Sequence, residues 1–235
     1  MDEAPERALA GLDPYASMQA EAQRIAAWCS ALDERGWGAP SRCAGWSVRD
    51  VVAHLASGEA YNRACLDGTV AGFLGDLAAR GATDLASANE LGVADFEGWS
   101  PAQILDTWRA RAAENLARLR GRDGTDLDTS VGPYPARRQA FHLAFELAVH
   151  ADDVGVPVRD DERAARSGWL VRTARFLLAE AKPDLTIEGD DVTTRVRGAG
   201  VDVTMGNETF VAAVAARLPD DALDARARSL CAVTP

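Results

Sequence analysis

The sequence predicts an α+β protein: an N-terminal four-helix bundle followed by a small α+β domain with a short antiparallel sheet. Three observations carry this. Apolar residues recur at three- and four-residue spacing in four long stretches up to about residue 154. After Pro183 the period changes to alternation of apolar and polar residues. Between the two patterns lies a stretch, Gly155 to Asp161, with the composition of a linker. The expected domains are therefore 1–156 and 157–235.

The first helix is expected from about Tyr15 to Arg35, with Met18, Ala22, Ile25, Ala26, Cys29 and Leu32 on its apolar face and Gly36–Pro40 ending it. Ser47, followed three residues later by Asp50, reads as a near capping box. It starts a second helix with Val48, Val51, Val52 and Leu55 as its stripe and Gly68 at its end. Residues 69–98 suggest one or two short helices with loops. Ser100-Pro101-Ala102-Gln103 combines a cap, a first-position proline and a third-position glutamine. The helix it opens should reach Arg120 with Ile104, Leu105, Trp108, Leu116 and Leu119 inward. Residues 121–133 are polar and turn-rich. A fourth helix is expected from near Pro135 to Val154. Four such helices joined by loops argue for a bundle.

In the C-terminal part, 162–181 reads as a helix. Strands are expected at 185–187, 192–196 and 201–205, separated by Glu188-Gly189-Asp190 and Arg197-Gly198-Ala199-Gly200, with a helix over 207–218.

Composition narrows the function. The 235 residues carry a formal net charge of -11, which disfavours nucleic acid and anionic membrane as partners. No apolar run is long enough to span a bilayer. The acidic start, Met1 to Glu6, lacks the pattern of a secretory signal, so a cytoplasmic location is expected. The four cysteines, Cys29, Cys43, Cys65 and Cys231, form no CxxC pair and are expected as free thiols, with Cys29 and Cys65 filling the core.

Histidine is scarce: His54, His142 and His150 are the whole complement. On the fourth helix Arg138, His142, Glu146 and His150 are each four residues apart and form one polar ridge, with Asp153 on the same arc. Residues four apart can share a metal. His142 and His150, eight apart, are separated by roughly 12 Å of rise and are not expected to share one. Either His142 with Glu146 or Glu146 with His150 would supply two ligands, and His54 on the second helix the third. A His₂Glu set leaves an open position, as catalytic zinc sites do; the same donors also admit iron, nickel or cobalt. Asp50 and Asp153, one turn from His54 and His150, are candidates to orient the two rings from outside the ligand set. A lone Glu-x-x-x-His also suits a solvent-facing stripe; the partner helix with His54 is what raises it to a metal reading.

The run Pro40-Ser41-Arg42-Cys43-Ala44-Gly45-Trp46-Ser47-Val48-Arg49-Asp50-Val51-Val52-Ala53-His54-Leu55-Ala56 resembles the hallmark of the mycothiol-dependent maleylpyruvate isomerase family, part of the DinB-like metal-dependent group. The later Glu146-Leu147-Ala148-Val149-His150-Ala151-Asp152-Asp153 is similar to its Glu-x-x-x-His-x-x-Asp. The resemblance implies a DinB-like four-helix bundle ahead of a smaller α+β domain. It implies His54, Glu146 and His150 as zinc ligands, with His142 left to line the site.

It also implies mycothiol as the thiol cosubstrate and an electrophilic small molecule as its partner. The reaction would be cis-trans isomerisation of the maleylpyruvate isomerase type or S-transfer. A metal-dependent hydrolase and a non-enzymatic, metal-stabilised ligand-binding module are the alternatives on the same fold. Family isomerases are expected to hold an acidic substrate with a C-terminal-domain arginine. Arg195, Arg197 and Arg217 are candidates, Arg217 foremost, and Arg138 is a further candidate on the bundle side. The expected state is a monomer or homodimer.

Overall fold

The computed structural model describes residues 4–233; residues 1–3, part of the acidic start, lie outside them. The chain is α+β, as its sequence predicts, with two small antiparallel sheets. In chain order the elements begin with α1 (Ala4–Ala8), α2 (Pro14–Ser30), α3 (Glu34–Trp37) and α4 (Val48–Asp67). Then come α5 (Val70–Ala79), α6 (Leu85–Ala94), α7 (Pro101–Arg120), β1 (Asp126–Thr129), β2 (Gly132–Pro135) and α8 (Ala136–Asp153). The chain continues through α9 (Asp160–Ala181), β3 (Thr186–Gly189), β4 (Thr193–Gly198), β5 (Val201–Gly206), α10 (Asn207–Val214) and α11 (Ala225–Cys231). No helix among the described residues is long and apolar enough to cross a membrane.

Two compact units result. One runs from Asp13 to Val156; the other comprises Pro157 onward together with the segment up to Leu12. The sequence reading places the first residues with the bundle; the structure groups the segment up to Leu12 with the other unit. The reason is local: α1 packs on α9, and Arg172 of α9 donates through Nε to the Ala8 carbonyl at 2.7 Å.

Within the first unit α4 packs on α7, α2 on α8 and α7, and α7 on α8. Ile25, Val51, Val52, Ile104, Trp108, Phe141, Ala144 and Ala148 are fully or almost fully buried and form its core. The caps read from sequence are present. Ser47 and Asp50 complete a reciprocal capping box at the start of α4, and Ser100 with Gln103 does the same for α7. Gly68 ends α4 in the left-handed region, φ 69°, where a side chain would be strained.

Three local expectations change. The first long helix stops at Ser30, because Asp33 caps a separate short helix, α3, by accepting from the Gly36 N–H. The polar stretch after α7 is a hairpin, with Leu127 opposite Tyr134. Its side chains are too polar to show an apolar alternation, yet Leu127 and Thr129 are buried. Leu116 is only half-buried; its neighbour Asn115 takes the interior position.

In the second unit β3–β4–β5 form an antiparallel meander in which Ile187 opposes Val196 and Val196 opposes Val203. Arg175 of α9 fastens the sheet by donating to Thr194 Oγ1 and to the carbonyls of Asp190 and Thr193. The helix expected over 207–218, α10, ends at Val214, and a further short helix, α11, follows it.

Candidate metal centre

Helices α4 and α8 present the candidate ligands. Val51, Val52 and Leu55 seat one face of α4, which places His54 beside α8. On α8, Phe141, Phe145 and Ala148 are buried, and the polar ridge runs along the flank. His54, Glu146 and His150 come together, with one ligand atom of each within 4.8 Å of the others. His54 Nε2 lies 3.3 Å from Glu146 Oε1. The imidazoles of His54 and His150 meet edge to face, centroids 4.9 Å apart. The cluster contains His150 and not His142, in line with the axial spacing along the helix.

The side chains of His54 and His150 are 11% and 10% exposed, whereas that of Glu146 is 44% exposed. The rings are thus embedded in the bundle wall while the carboxylate opens to solvent. Crowding around Glu146 on its own would raise its pKa. The hydrogen bond from His54 and the charges of His54, His150 and His142 outweigh that effect and hold the carboxyl below its usual value. Two imidazoles and one ionised carboxylate that converge on a solvent-reachable point suit a divalent ion with an open position.

The family model for the mycothiol maleylpyruvate isomerase N-terminal domain matches residues 18–155. The chain belongs to this family. Two solved structures are similar over this fold. One is a crystal structure of the mycothiol-dependent maleylpyruvate isomerase, with 16% identity, TM-score 0.52, and 72% of this chain and 68% of that one covered. The other is a histidine-to-alanine mutant of that enzyme, with 16% identity, TM-score 0.50 and the same coverage. Comparison with curated proteins finds no significant match.

The remaining candidate residues of this mycothiol maleylpyruvate isomerase family chain fall in different places. Asp153 is buried and its Oδ2 lies 3.1 Å from His150 Nδ1, close enough to hold the orientation of that ring. Asp50 spends Oδ2 on the Ser47 N–H and hydroxyl, at 2.9 and 2.7 Å, as part of the helix cap. His142 Nε2 is 3.0 Å from the Tyr134 hydroxyl. Arg138 is half-buried one turn before His142. Arg195 and Arg197 pair with Asp202 and Glu188 on the exposed sheet face, and Arg217 donates to the Ala215 carbonyl; all three belong to the other unit.

Sequence reasoning missed four neighbours. Trp46 stacks at a tilt on His54, centroids 5.2 Å apart, and its Nε1 donates to Glu90. Tyr134 reaches His142 from the hairpin that the sequence did not reveal. Cys43 donates to Asp153 at 3.2 Å. Its only signal was its place in the loop ahead of the second helix. Glu59 lies buried on α4, accepting from Asn62 and Asn115.

Burial raises the Glu59 pKa against those two hydrogen bonds, with Glu146 nearby adding to the rise. A carboxyl whose folded pKa is raised costs stability once pH exceeds its unfolded value. The loss grows until pH passes the folded value. Asn115 Oδ1 has no hydrogen-bond partner among the described residues, so an amide at position 59 can offer it a donor. Glu59→Gln is therefore expected to raise the melting temperature more at pH 8 than at pH 5; an equal or opposite shift at the two values would refute this account.

Proposed function

We propose that the chain binds a zinc ion through His54, Glu146 and His150 and uses it to activate mycothiol for addition to an electrophilic small molecule, either as a cis-trans isomerase or as an S-transferase. The observation that carries this reading is the convergence of the three donors from α4 and α8 in a chain of this family. A divalent ion held there would favour the ionised form of a bound thiol at neutral pH.

The chain's own residues then have definite tasks. Glu146 supplies the single negative charge of the donor set, and its lowered pKa keeps that charge at neutral pH. Two neutral rings and one carboxylate leave a divalent ion with net positive charge, which selects an anionic fourth ligand such as a thiolate. Asp153 accepts from His150 Nδ1 and so leaves Nε2 for the metal. Trp46 and the edge of the His150 ring fix the plane of His54. His142 is the one imidazole outside the set; paired with the Tyr134 hydroxyl, it is placed to hold a proton near the exposed carboxylate.

The test is turnover of zinc-loaded protein with mycothiol and an electrophile such as a cis-enoyl acid. The expected product is an isomer or thiol adduct, formed only when metal and thiol are both present. Turnover with water alone would replace this reading with the hydrolase.

A further inference from the structure

The proposed zinc set uses Nε2 of His150 and leaves Nδ1 outside it. At Nδ1 a second trio converges: Cys43 Sγ, His150 Nδ1 and Asp153 Oδ2. The thiol lies 3.2 Å from the carboxylate oxygen and 3.9 Å from the ring nitrogen, and the nitrogen lies 3.1 Å from the oxygen. A zinc-class ion with bonds of about 2.3 Å to sulfur and about 2.0–2.2 Å to nitrogen and oxygen, in tetrahedral geometry, sets its donors roughly 3.3–3.6 Å apart. The three separations bracket that range, so a small adjustment suffices.

The loop is built to hold the thiol there. The Arg42 N–H donates to the Asp153 carbonyl at 2.9 Å, which ties the loop to the last residue of α8. Ser41 Oγ accepts from the Cys43 N–H at 3.1 Å and donates to the Trp46 carbonyl at 2.8 Å. Asp153 is buried, its side chain 1% exposed, so its carboxylate is desolvated and gains from a cation. The other three cysteines are packed in the interior, where burial pushes the Cys29 thiol up to about 12 and raises those of Cys65 and Cys231. Cys43 is the half-exposed one.

We propose that Cys43, Asp153 and Nδ1 of His150 form a second cation site, selective for a thiophilic divalent ion of the zinc and cadmium class. Sulfur in the donor set distinguishes it from the first set, which has none. Filling it releases the thiol proton to solvent and displaces the Nδ1 proton. Without an ion on Nε2 that proton moves to Nε2, by tautomer exchange. With the first site filled it also leaves to solvent, and the ring bridges the two ions as imidazolate. The site shares His150 with the proposed zinc set but does not require that set to be occupied.

Cadmium serves as the probe, read by its thiolate charge-transfer absorption in the near ultraviolet and by bound metal per chain. The wild-type protein is expected to develop the absorption of one thiolate. Cys43→Ser is expected to lose it and to bind one ion fewer, while keeping the ion at the first set. His54→Ala is expected to lose the first ion and keep the absorption, which separates failure of this site from failure of the primary one. A second measurement needs no variant: in the folded wild-type protein, cadmium should slow alkylation of Cys43 at least tenfold, as read by peptide mapping. Absorption missing from the wild type, persisting in Cys43→Ser or vanishing in His54→Ala would overturn the proposal, as would alkylation of Cys43 that cadmium leaves unchanged.

Discussion

Replacing His54 by alanine is expected to weaken zinc binding at the Glu146–His150 site by about a hundredfold, to lower the bound zinc per chain, and to abolish thiol-dependent turnover. The ring sits 3.3 Å from Glu146 and edge to face with His150, and these three side chains make up the proposed donor set among the described residues. Binding free energies of about 10–16 kcal/mol are typical of structural zinc held by four ligands. One lost ligand then costs roughly 3 kcal/mol, or about a hundredfold in affinity. Glu146 loses its hydrogen-bonding partner as well, so the carboxylate returns toward its ordinary pKa. The fold should tolerate the change, because His54 lies at the flank of α4 and Val51 and Val52 hold the helix to its neighbours. The control is His142→Ala, expected to retain the metal, since His142 engages Tyr134 and lies outside the cluster. Metal analysis of both purified variants decides the matter. Unchanged zinc in His54→Ala, or zinc lost from His142→Ala, would refute the assigned set.

Helix periodicity and caps were legible in the sequence because each depends on residues close together along the chain. Ser47 with Asp50 and Ser100 with Gln103 could be read directly, and both boxes are present. The ridge of Arg138, His142, Glu146 and His150 was legible for the same reason. Spacing alone left His142 and His150 as rivals; what separates them is which turn of α8 lies level with His54, a tertiary relation. The β1–β2 hairpin escaped because Asp126, Asp128, Pro133 and Pro135 give it no apolar alternation. Cys43 was present in the sequence as a cysteine, but its meeting with Asp153 depends on contact across 110 positions. Asp50 shows the converse: proximity to His54 along the helix suggested a role at the ring, while the capping box had the stronger geometric claim on its carboxylate.

Truncation of Trp108 is expected to have the largest effect on stability. It is 1% exposed on α7, the helix that packs on both α4 and α2. Trp→Ala in a core costs about 3–5 kcal/mol, through lost transfer free energy and the cavity left behind. At about 2–4 °C per kcal/mol for a chain of this size, the melting temperature should fall by roughly 10 °C. The indole N–H has no hydrogen-bond partner among the described residues, and an unmet buried donor carries its own cost, about 1–3 kcal/mol. Trp108→Phe removes that donor while keeping most of the ring, so its loss should be under half that of alanine. Denaturant unfolding at constant slope measures both. A Phe variant as unstable as Ala would show that the N–H is satisfied in solution. The proposed zinc ion then gives a link between this core and the site. An ion that binds only the folded state stabilises by about 2.7 kcal/mol at a hundred times its dissociation constant. Saturating zinc should therefore restore part of the stability of Trp108→Ala, whose ligands remain, and less in a Trp108→Ala/His54→Ala double variant, which lacks one donor of the His54–Glu146–His150 set.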